Sequence, residues 1–482
     1  MRHFARQPTR GTDVDTNPSP LNHYLRSEAG GRYRINLALI ALSRQHSLWY
    51  PGNDPTLARW CIFAHEYAHF LHNFSTISGL QDFVTHLRLM GLFGRTVGVD
   101  GTSRGSAVLS ETDTRDFAHW QRWLKHLRGS GRQPFDAQYH HRNTRIRITG
   151  VDMPRESIQF STQPEPVRLQ DARVSFTVSS ASTSEERCDT VLGSWHIMET
   201  LAYEIEKTIV KAHGAQTALL EDTTPAFPYQ FGRVLFEHLS NLVPSEEVLT
   251  RVCLMALQST DPGAAFIDIA NAFATRPVGE PDAVTVKRFE AITLAEFRRT
   301  FAAFSDLTLK REYEVFAARG GPAGRAIQTL GEMCQRYVEL RTTDHFFELR
   351  LFEQIVDRES LRDLLKTYPP CPIVHQAGLD GQPEFFHLSV TELSEDATDA
   401  LCVYQTWGQF MLAHLQPDRF LTTNECRSPR CKCLFFGACA APQALAAPQL
   451  CQSAPWRAFR LDDPVGCVYA AGVAAARGRA DL

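Results

Sequence analysis

The chain has 482 residues, of which 43% are hydrophobic and 22% are charged. It is longer than one hydrophobic core usually supports, so we expect a globular protein with two or three domains. The formal net charge of -4 excludes a strongly basic chain and gives no clear signal of binding to nucleic acid or to an anionic membrane. The sequence contains no Walker A loop, dinucleotide-binding glycine fingerprint or GxSxG nucleophile motif.

The N-terminal segment, residues 1–30, is polar and rich in Pro, Arg, Thr and Asp, which predicts a flexible arm. No apolar segment typical of a secretory signal follows its basic residues. The apolar residues 35–42 are far too few to span a membrane, and they predict a buried strand or a short helix. We therefore expect a cytoplasmic protein whose 12 cysteines remain reduced.

Two helices are predicted next. Asp54 is a favourable N-cap and Pro55 suits the first helical position, so a helix should begin there and end near Asn73. A second helix should follow Gly79. The polar and basic chain from about residue 94 to residue 143 predicts irregular loops.

The rest of the chain is predicted to be mainly helical after a short strand-bearing part. Alternating apolar residues predict strands at 144–151 and 172–179, and a Ser/Thr-rich loop should follow at 179–186. Apolar residues at helical spacing predict a helix at 192–213. From about residue 227 to residue 414 most segments have helical periodicity, and Pro- and Gly-rich breaks separate them.

The first predicted helix contains the pentapeptide HEYAH, with His65, Glu66 and His69, inside the apolar stretch CIFAHEYAHFLHNFST. Residues four apart on a helix have Cβ atoms about 5–6 Å apart, so the two imidazoles can bind one zinc ion. Glu66 would lie beside that ion, where a carboxylate can act as a general base on water. The alternative interpretation is a chance pentapeptide whose histidines belong to a buried core, where each unpaired polar group would be costly.

The residues after HEYAH restrict the kind of zinc site. A metzincin would need Gly at position 72 and His at position 75, and an aspzincin-like site would need Asp at position 75, but the chain has His72 and Ser75. The remaining type takes a glutamate from a later helix, and Glu199 is the best candidate. His196, Glu199 and Tyr203 share one face of the helix predicted there.

Other residues remain open for this site. Glu111, Glu204 and His196 are the alternative third ligands. His72 lies on the motif face, one turn after His69, where a role next to a ligand or facing the substrate suits it better than direct ligation.

In these residues the chain resembles gluzincin-type zinc metallopeptidases, and HEYAHFLHNFST followed by IMETLAYEIE looks like poorly characterised bacterial zincin-like proteins. The resemblance covers residues 55–275 at most. It implies that His65, His69 and Glu199 hold one catalytic zinc ion (Zn2+), which acidifies a water molecule for attack on a peptide bond. The aspartate that thermolysin-like enzymes place four residues after this glutamate is replaced by Tyr203.

The implied reaction assigns further roles. Glu66 would take the proton of the attacking water and pass it to the leaving amine. An oxyanion donor is also required, and His196 and Tyr203 are the candidates, with helix-surface packing as the alternative for both. A protein or peptide would be the substrate.

The C-terminal part is rich in cysteine. Four thiolates suggest a second, structural zinc site, against the alternatives of core cysteines, redox-active thiols or an iron-sulfur cluster. The candidate ligands are Cys426, Cys431, Cys433 and Cys439, with Cys451 further along the chain.

The sequence thus predicts an α+β fold with a zincin-like catalytic region and a mainly helical domain. The predicted divisions are an arm at 1–30, a metallopeptidase region at 31–275 with an insertion at about 95–190, a helical domain at 276–425 and a cysteine-rich segment at 426–482. Two other functions remain open: a non-catalytic scaffold of zincin-like fold that binds a protein partner, and a partner-triggered protease effector of a bacterial conflict or defence system. In either case the helical domain is the candidate surface for a regulatory protein.

Overall fold

The structure of the protein is a computed structural model. It describes residues 31–35, 37–42, 56–131, 144–161, 166–180, 183–217, 220, 224–277, 279–304, 310–318, 321–353, 360, 373–377, 383–387, 395–426, 432–436, 447–460 and 467–477. The predicted arm at 1–30, the predicted cap Asp54 with Pro55, and the cysteines Cys431 and Cys439 lie outside the described residues.

The described chain is mainly helical with small sheets, which confirms the predicted α+β class. Its helices are α1 (Leu57–Ser75), α2 (Ile77–Gly94), α3 (Glu111–Arg128), α4 (Ser194–Ala212), α5 (Phe231–Ser240), α6 (Glu246–Leu257), α7 (Pro262–Ala274), α8 (Asp282–Phe304), α9 (Lys310–Ala317), α10 (Gly321–Thr343), α11 (Phe347–Glu353), α12 (Glu395–His414), α13 (Pro448–Ser453) and α14 (Val468–Arg477). Its strands are β1 (Gly31–Arg34), β2 (Leu39–Leu42), β3 (Ser130–Gly131), β4 (Arg145–Asp152), β5 (Arg155–Ile158), β6 (Val167–Gln170), β7 (Ala172–Ser180), β8 (Thr183–Leu192), β9 (Ile373–Ala377) and β10 (Pro383–His387).

Helix α1 lies at the centre of the packing and carries HEYAH. Its residues from Trp60 onward are buried, with the exception of the partly buried Ile62. Helices α2, α4 and α10 and strand β1 pack against it. The turn into α2 is tight, because a Cβ atom at Gly79 would lie 2.3 Å from the carbonyl oxygen of His72. Glycine at this position therefore allows α2 to begin directly against the end of α1.

One sheet packs against α1, and the other leads into α4. Strands β1, β2, β9 and β10 form one sheet in that order, in which β2 pairs with β9 in parallel and the other pairs are antiparallel. The second sheet, in the order β3-β8-β7-β4, is antiparallel, and its strand β8 leads through Gly193 into α4. Strands β5 and β6 form a separate antiparallel pair.

Two sequence predictions were wrong. The segment expected to be irregular contains α3, whose N-cap Ser110 accepts a hydrogen bond from the backbone N–H of Asp113 and which buries Phe117, Trp120 and Leu124. Strand β8 begins inside the predicted Ser/Thr-rich loop. Most of the described segments between residues 227 and 414 are helical, as predicted, and the same region also contains the antiparallel pair β9 and β10, of which β9 pairs with β2.

The buried core is continuous across the described chain. One cluster of buried hydrophobic side chains includes members of α1, such as Phe70, and members of α10 and α12, such as Tyr337 and Trp407. Phe70 and Tyr337 are in edge contact, with their ring centroids 5.5 Å apart. Of the helices in the described part of the chain, none combines the length and the apolar character that crossing a bilayer requires.

Candidate metal centre

The two histidines of HEYAH and Glu199 meet between α1 and α4. Their ligand atoms all lie within 4.8 Å of one another, and they form the single such group of three or more His, Cys, Asp or Glu residues among the described residues. Oε2 of Glu199 lies 3.1 Å from Nε2 of His65 and 3.6 Å from Nε2 of His69. Three groups on two helices therefore direct one atom each toward a common point.

These spacings fit a zinc ion. Ligands at 2.0–2.2 Å from zinc in a tetrahedral site lie about 3.4 Å from each other, and the two measured separations fall on either side of this value. Two imidazoles and one carboxylate are also the donor set of catalytic zinc sites that keep a fourth position open. The donor set and the two separations from Glu199 thus fit zinc.

Glu206 fixes the orientation of His65. Its Oε1 lies 2.6 Å from Nδ1 of His65, so Nδ1 carries the proton and Nε2 is left as the atom that faces Glu199. Glu206 lies seven residues after Glu199 on α4, which is two helical turns along the same face. The sequence did not predict Glu206, because the carboxylate was expected four residues after Glu199, where the chain has Tyr203.

The carboxylate of Glu199 is held by a second contact. Its other oxygen, Oε1, accepts a hydrogen bond of 2.9 Å from the indole Nε1 of Trp195, one turn earlier on α4. The nearby imidazoles of His69 and His65 hold the pKa of Glu199 well below its usual range, against the effect of burial. Glu199 is therefore a carboxylate anion with one oxygen oriented toward the histidines.

Glu66 lies beside the cluster and not in it. Its Oε2 accepts a hydrogen bond from the backbone N–H of Tyr33 on the edge strand β1. Tyr33 is anchored to α1 in two further ways, since its hydroxyl donates to Oδ1 of Asn73 over 2.8 Å and its ring contacts Phe70. Burial raises the pKa of the Glu66 carboxyl, and the imidazoles of His65 and His69 partly oppose this effect.

The carboxylates of Glu199 and Glu206 determine the pKa of His65. Burial alone would lower the pKa of its imidazole, but hydrogen bonds with Glu199 and Glu206 raise that pKa well above the usual range. In the metal-free state the cluster thus attracts a proton, and a divalent cation would take the place of that proton.

Tyr229 is the second residue that the sequence reading missed. Its ring is in edge contact with the imidazole of His65 at a centroid separation of 5.5 Å, and its side chain is partly exposed. Burial, together with the charges of Glu199 and Glu206, raises the pKa of its phenol well above 10.0. The hydroxyl therefore keeps its proton at neutral pH and can donate a hydrogen bond.

The two predicted oxyanion donors, His196 and Tyr203, are buried. His196 is 1% exposed, its Nε2 lies 3.1 Å from Oγ1 of Thr190, and aromatic rings surround it. Tyr203 is 0% exposed, and the ammonium group of Lys207 lies 4.6 Å from its ring centroid. The role of His196 and Tyr203 as oxyanion donors stays a prediction.

The alternative third ligands are also placed elsewhere. Glu111 is exposed at the start of α3. Glu204 is buried and forms ion pairs with Lys207 and Arg233. His72 is fully buried, and its Nε2 lies 3.5 Å from Oε1 of Glu348. It therefore faces the buried carboxylate of α11 and not a substrate.

The cysteine-rich segment is described only in part. Cys426 donates from Sγ to the backbone carbonyl of Ala413 over 3.3 Å, and the backbone N–H of Cys433 donates to the carbonyl of Cys451 over 2.6 Å. Because Cys431 and Cys439 are outside the described residues, a four-thiolate site here stays a prediction.

Comparisons with known proteins identify no relative of this chain. No protein-family model matches the chain, and no curated protein and no solved structure has significant similarity to it.

Proposed function

We propose that this chain is a zinc-dependent peptidase of the gluzincin type, with His65, His69 and Glu199 as the metal ligands. The observation that carries the proposal is the convergence of these side chains from two helices, in which His65 and Glu199 are 134 residues apart in the chain. Glu66 beside the cluster favours catalysis over a purely structural metal, because a structural site has no use for a base next to it.

The residues of the chain have separate tasks in this reaction. A bound zinc ion would supply Lewis acidity, which polarises the carbonyl of the scissile bond and makes water more acidic. Glu66 accepts a proton from the attacking water and returns it to the leaving amine. Glu206 binds Nδ1 of His65 and so directs Nε2 toward Glu199, and the amide of Tyr33 keeps the carboxylate of Glu66 in place.

Metal content is the first test of the proposal. The wild-type chain, purified without chelator, should hold about one zinc ion at the α1–α4 cluster, and the His69→Ala variant should lose it because two protein ligands bind zinc much more weakly than three. Elemental analysis of both proteins after the same dialysis measures the difference. The matched control is His238→Ala, since His238 is an exposed histidine on α5.

The proposal fails if the wild-type chain holds no zinc that His69→Ala loses. Zinc bound at the C-terminal cysteines would survive His69→Ala, so the difference between the two proteins counts and not the total.

Tyr229 takes the role of the hydrogen-bond donor to the substrate. As the carbonyl oxygen gains negative charge, the protonated phenol can donate to it from its position beside His65. Tyr229→Phe should therefore lower kcat by about 10²–10³, the usual effect of losing one such donor, with little change in zinc content. Steady-state kinetics on a cleaved peptide measure this loss, and an unchanged kcat would exclude Tyr229 as the donor.

A further inference from the structure

The indole of Trp195 divides the two oxygens of Glu199 between different tasks. Oε1 accepts the hydrogen bond from Nε1 of Trp195, and Oε2 is the atom that both histidines face. Because Oε1 is oriented toward this N–H donor, Oε2 is the oxygen that points toward the two imidazoles.

The indole is itself held in place by aromatic packing. Its ring contacts His196 at a centroid separation of 4.7 Å and Phe227 at 6.3 Å. Phe227 in turn packs against Phe176 of β7 and Phe231 of α5. Packing against side chains of the second sheet and of α5 therefore fixes the indole that binds the carboxylate.

The spacing of the pair favours this contact. Trp195 and Glu199 lie four residues apart on α4, so they are neighbours on one face of the helix. A glutamate has three rotatable bonds, and it would otherwise sample orientations in which both oxygens, or neither, face the histidines.

We propose that Trp195 is a positioning residue that holds Glu199 as a ligand through one oxygen and so preserves an open coordination position. The inference rests on the proposed function, since it concerns the same metal site. Without the indole N–H, Oε1 is released, and Glu199 can turn both oxygens toward the metal or swing away from it. Loss of such outer contacts to metal ligands lowers metal affinity about 10- to 100-fold in other sites.

The test separates the hydrogen bond from aromatic packing by two variants of opposite design. Trp195→Phe keeps an aromatic ring and removes the N–H donor. Trp195→Gln removes the ring and keeps an N–H donor, which at a separation of four residues can still reach a carboxylate on the same helix face. Trp123→Phe on α3 is the control, because Trp123 is partly buried and contacts His126.

The readout is zinc affinity, measured on the full chain by competition with a chelator of known affinity. Trp195→Phe should weaken zinc binding about 10-fold or more, whereas Trp195→Gln should remain within about 3-fold of the wild type. Cobalt substitution gives a second readout, because a shift from four to five ligands reduces the visible absorption of the bound cobalt. We expect this reduction in Trp195→Phe alone.

Two results would overturn the inference. One is zinc affinity of Trp195→Phe equal to that of the wild type, and the other is weaker binding by Trp195→Gln than by Trp195→Phe, which would assign the effect to packing. If Trp195→Phe does not fold, the affinity of Trp195→Gln alone decides, since a loss of more than about 10-fold contradicts the role of the donor. A wild-type chain without zinc would instead refute the proposed function, so the two failures are distinguishable.

Discussion

The Glu66→Gln variant is expected to bind zinc as the wild type does and to cleave peptides about 10²–10⁴ times more slowly, the usual effect of removing a general base. Zinc should remain because Glu66 is outside the cluster of His65, His69 and Glu199. The fold should also remain, because the glutamine carbonyl can still accept the hydrogen bond from the backbone N–H of Tyr33.

The measurement uses a pool of synthetic peptides, with cleavage products identified by mass spectrometry and zinc content determined on the same samples. Glu332→Gln is the matched control, since Glu332 is an exposed residue on α10. Cleavage by Glu66→Gln at the wild-type rate would show that Glu66 is not the base. Zinc in the wild type without any cleavage would favour the scaffold, or an effector that requires a partner.

The residues of HEYAH could be predicted as part of the candidate site from their spacing alone. His65, Glu66 and His69 lie in one helical segment, so the geometry of a single helix brings the two imidazoles together. Glu199 could be proposed because α4 is amphipathic and carries a carboxylate on its polar face. The approach of α4 to α1 could not be derived from the sequence, since it depends on packing that brings together His65 and Glu199, which are 134 residues apart in the chain.

Glu206 and Tyr229 were not predicted, and they differ in whether the sequence contains a pattern that indicates them. Glu206 lies two helical turns after Glu199 on the same face of α4, so helical spacing from Glu199 indicates it. Tyr229 had no comparable signal, because it precedes α5 in a non-helical segment that reaches His65 only in the folded chain. Contacts of this kind are set by tertiary packing, and neither periodicity nor motif spacing reports them.

The same limit applies to the sheets. Strand β7 alternates apolar and polar residues and could be read directly. Strand β9 pairs in parallel with β2, more than 330 residues earlier, with Leu39 opposite Ile373. Such a pairing is set by neighbours distant in sequence, and a short apolar segment carries no information about its partner.

The Arg341→Ala variant is expected to lower the free energy of unfolding by about 3–5 kcal/mol, the cost of leaving a buried charge without its partner. Arg341 and Glu348 are both 0% exposed. The guanidinium group of Arg341 donates to both carboxylate oxygens of Glu348 and to the backbone carbonyl of His345. It also donates to Oγ of Ser75 at the end of α1, over 2.7 Å.

Two further variants serve as comparisons for Arg341→Ala. The double variant Arg341→Met with Glu348→Leu removes both charges and keeps apolar volume, so it should be more stable than Arg341→Ala alone. Arg299→Ala breaks an exposed pair with Glu296 and should leave stability unchanged. Urea unfolding of the four proteins gives the comparison.

This buried pair also contacts the helix that carries the candidate metal centre. Ser75 and His72 end the helix that carries His65 and His69, and Oε1 of Glu348 lies 3.5 Å from Nε2 of His72. Helices α10 and α11 are thus fixed to the helix of the site through buried polar contacts and not only through apolar packing. If Arg341→Ala unfolds no more easily than Arg299→Ala, the buried pair does not join these helices to α1, and the continuous apolar core alone does so.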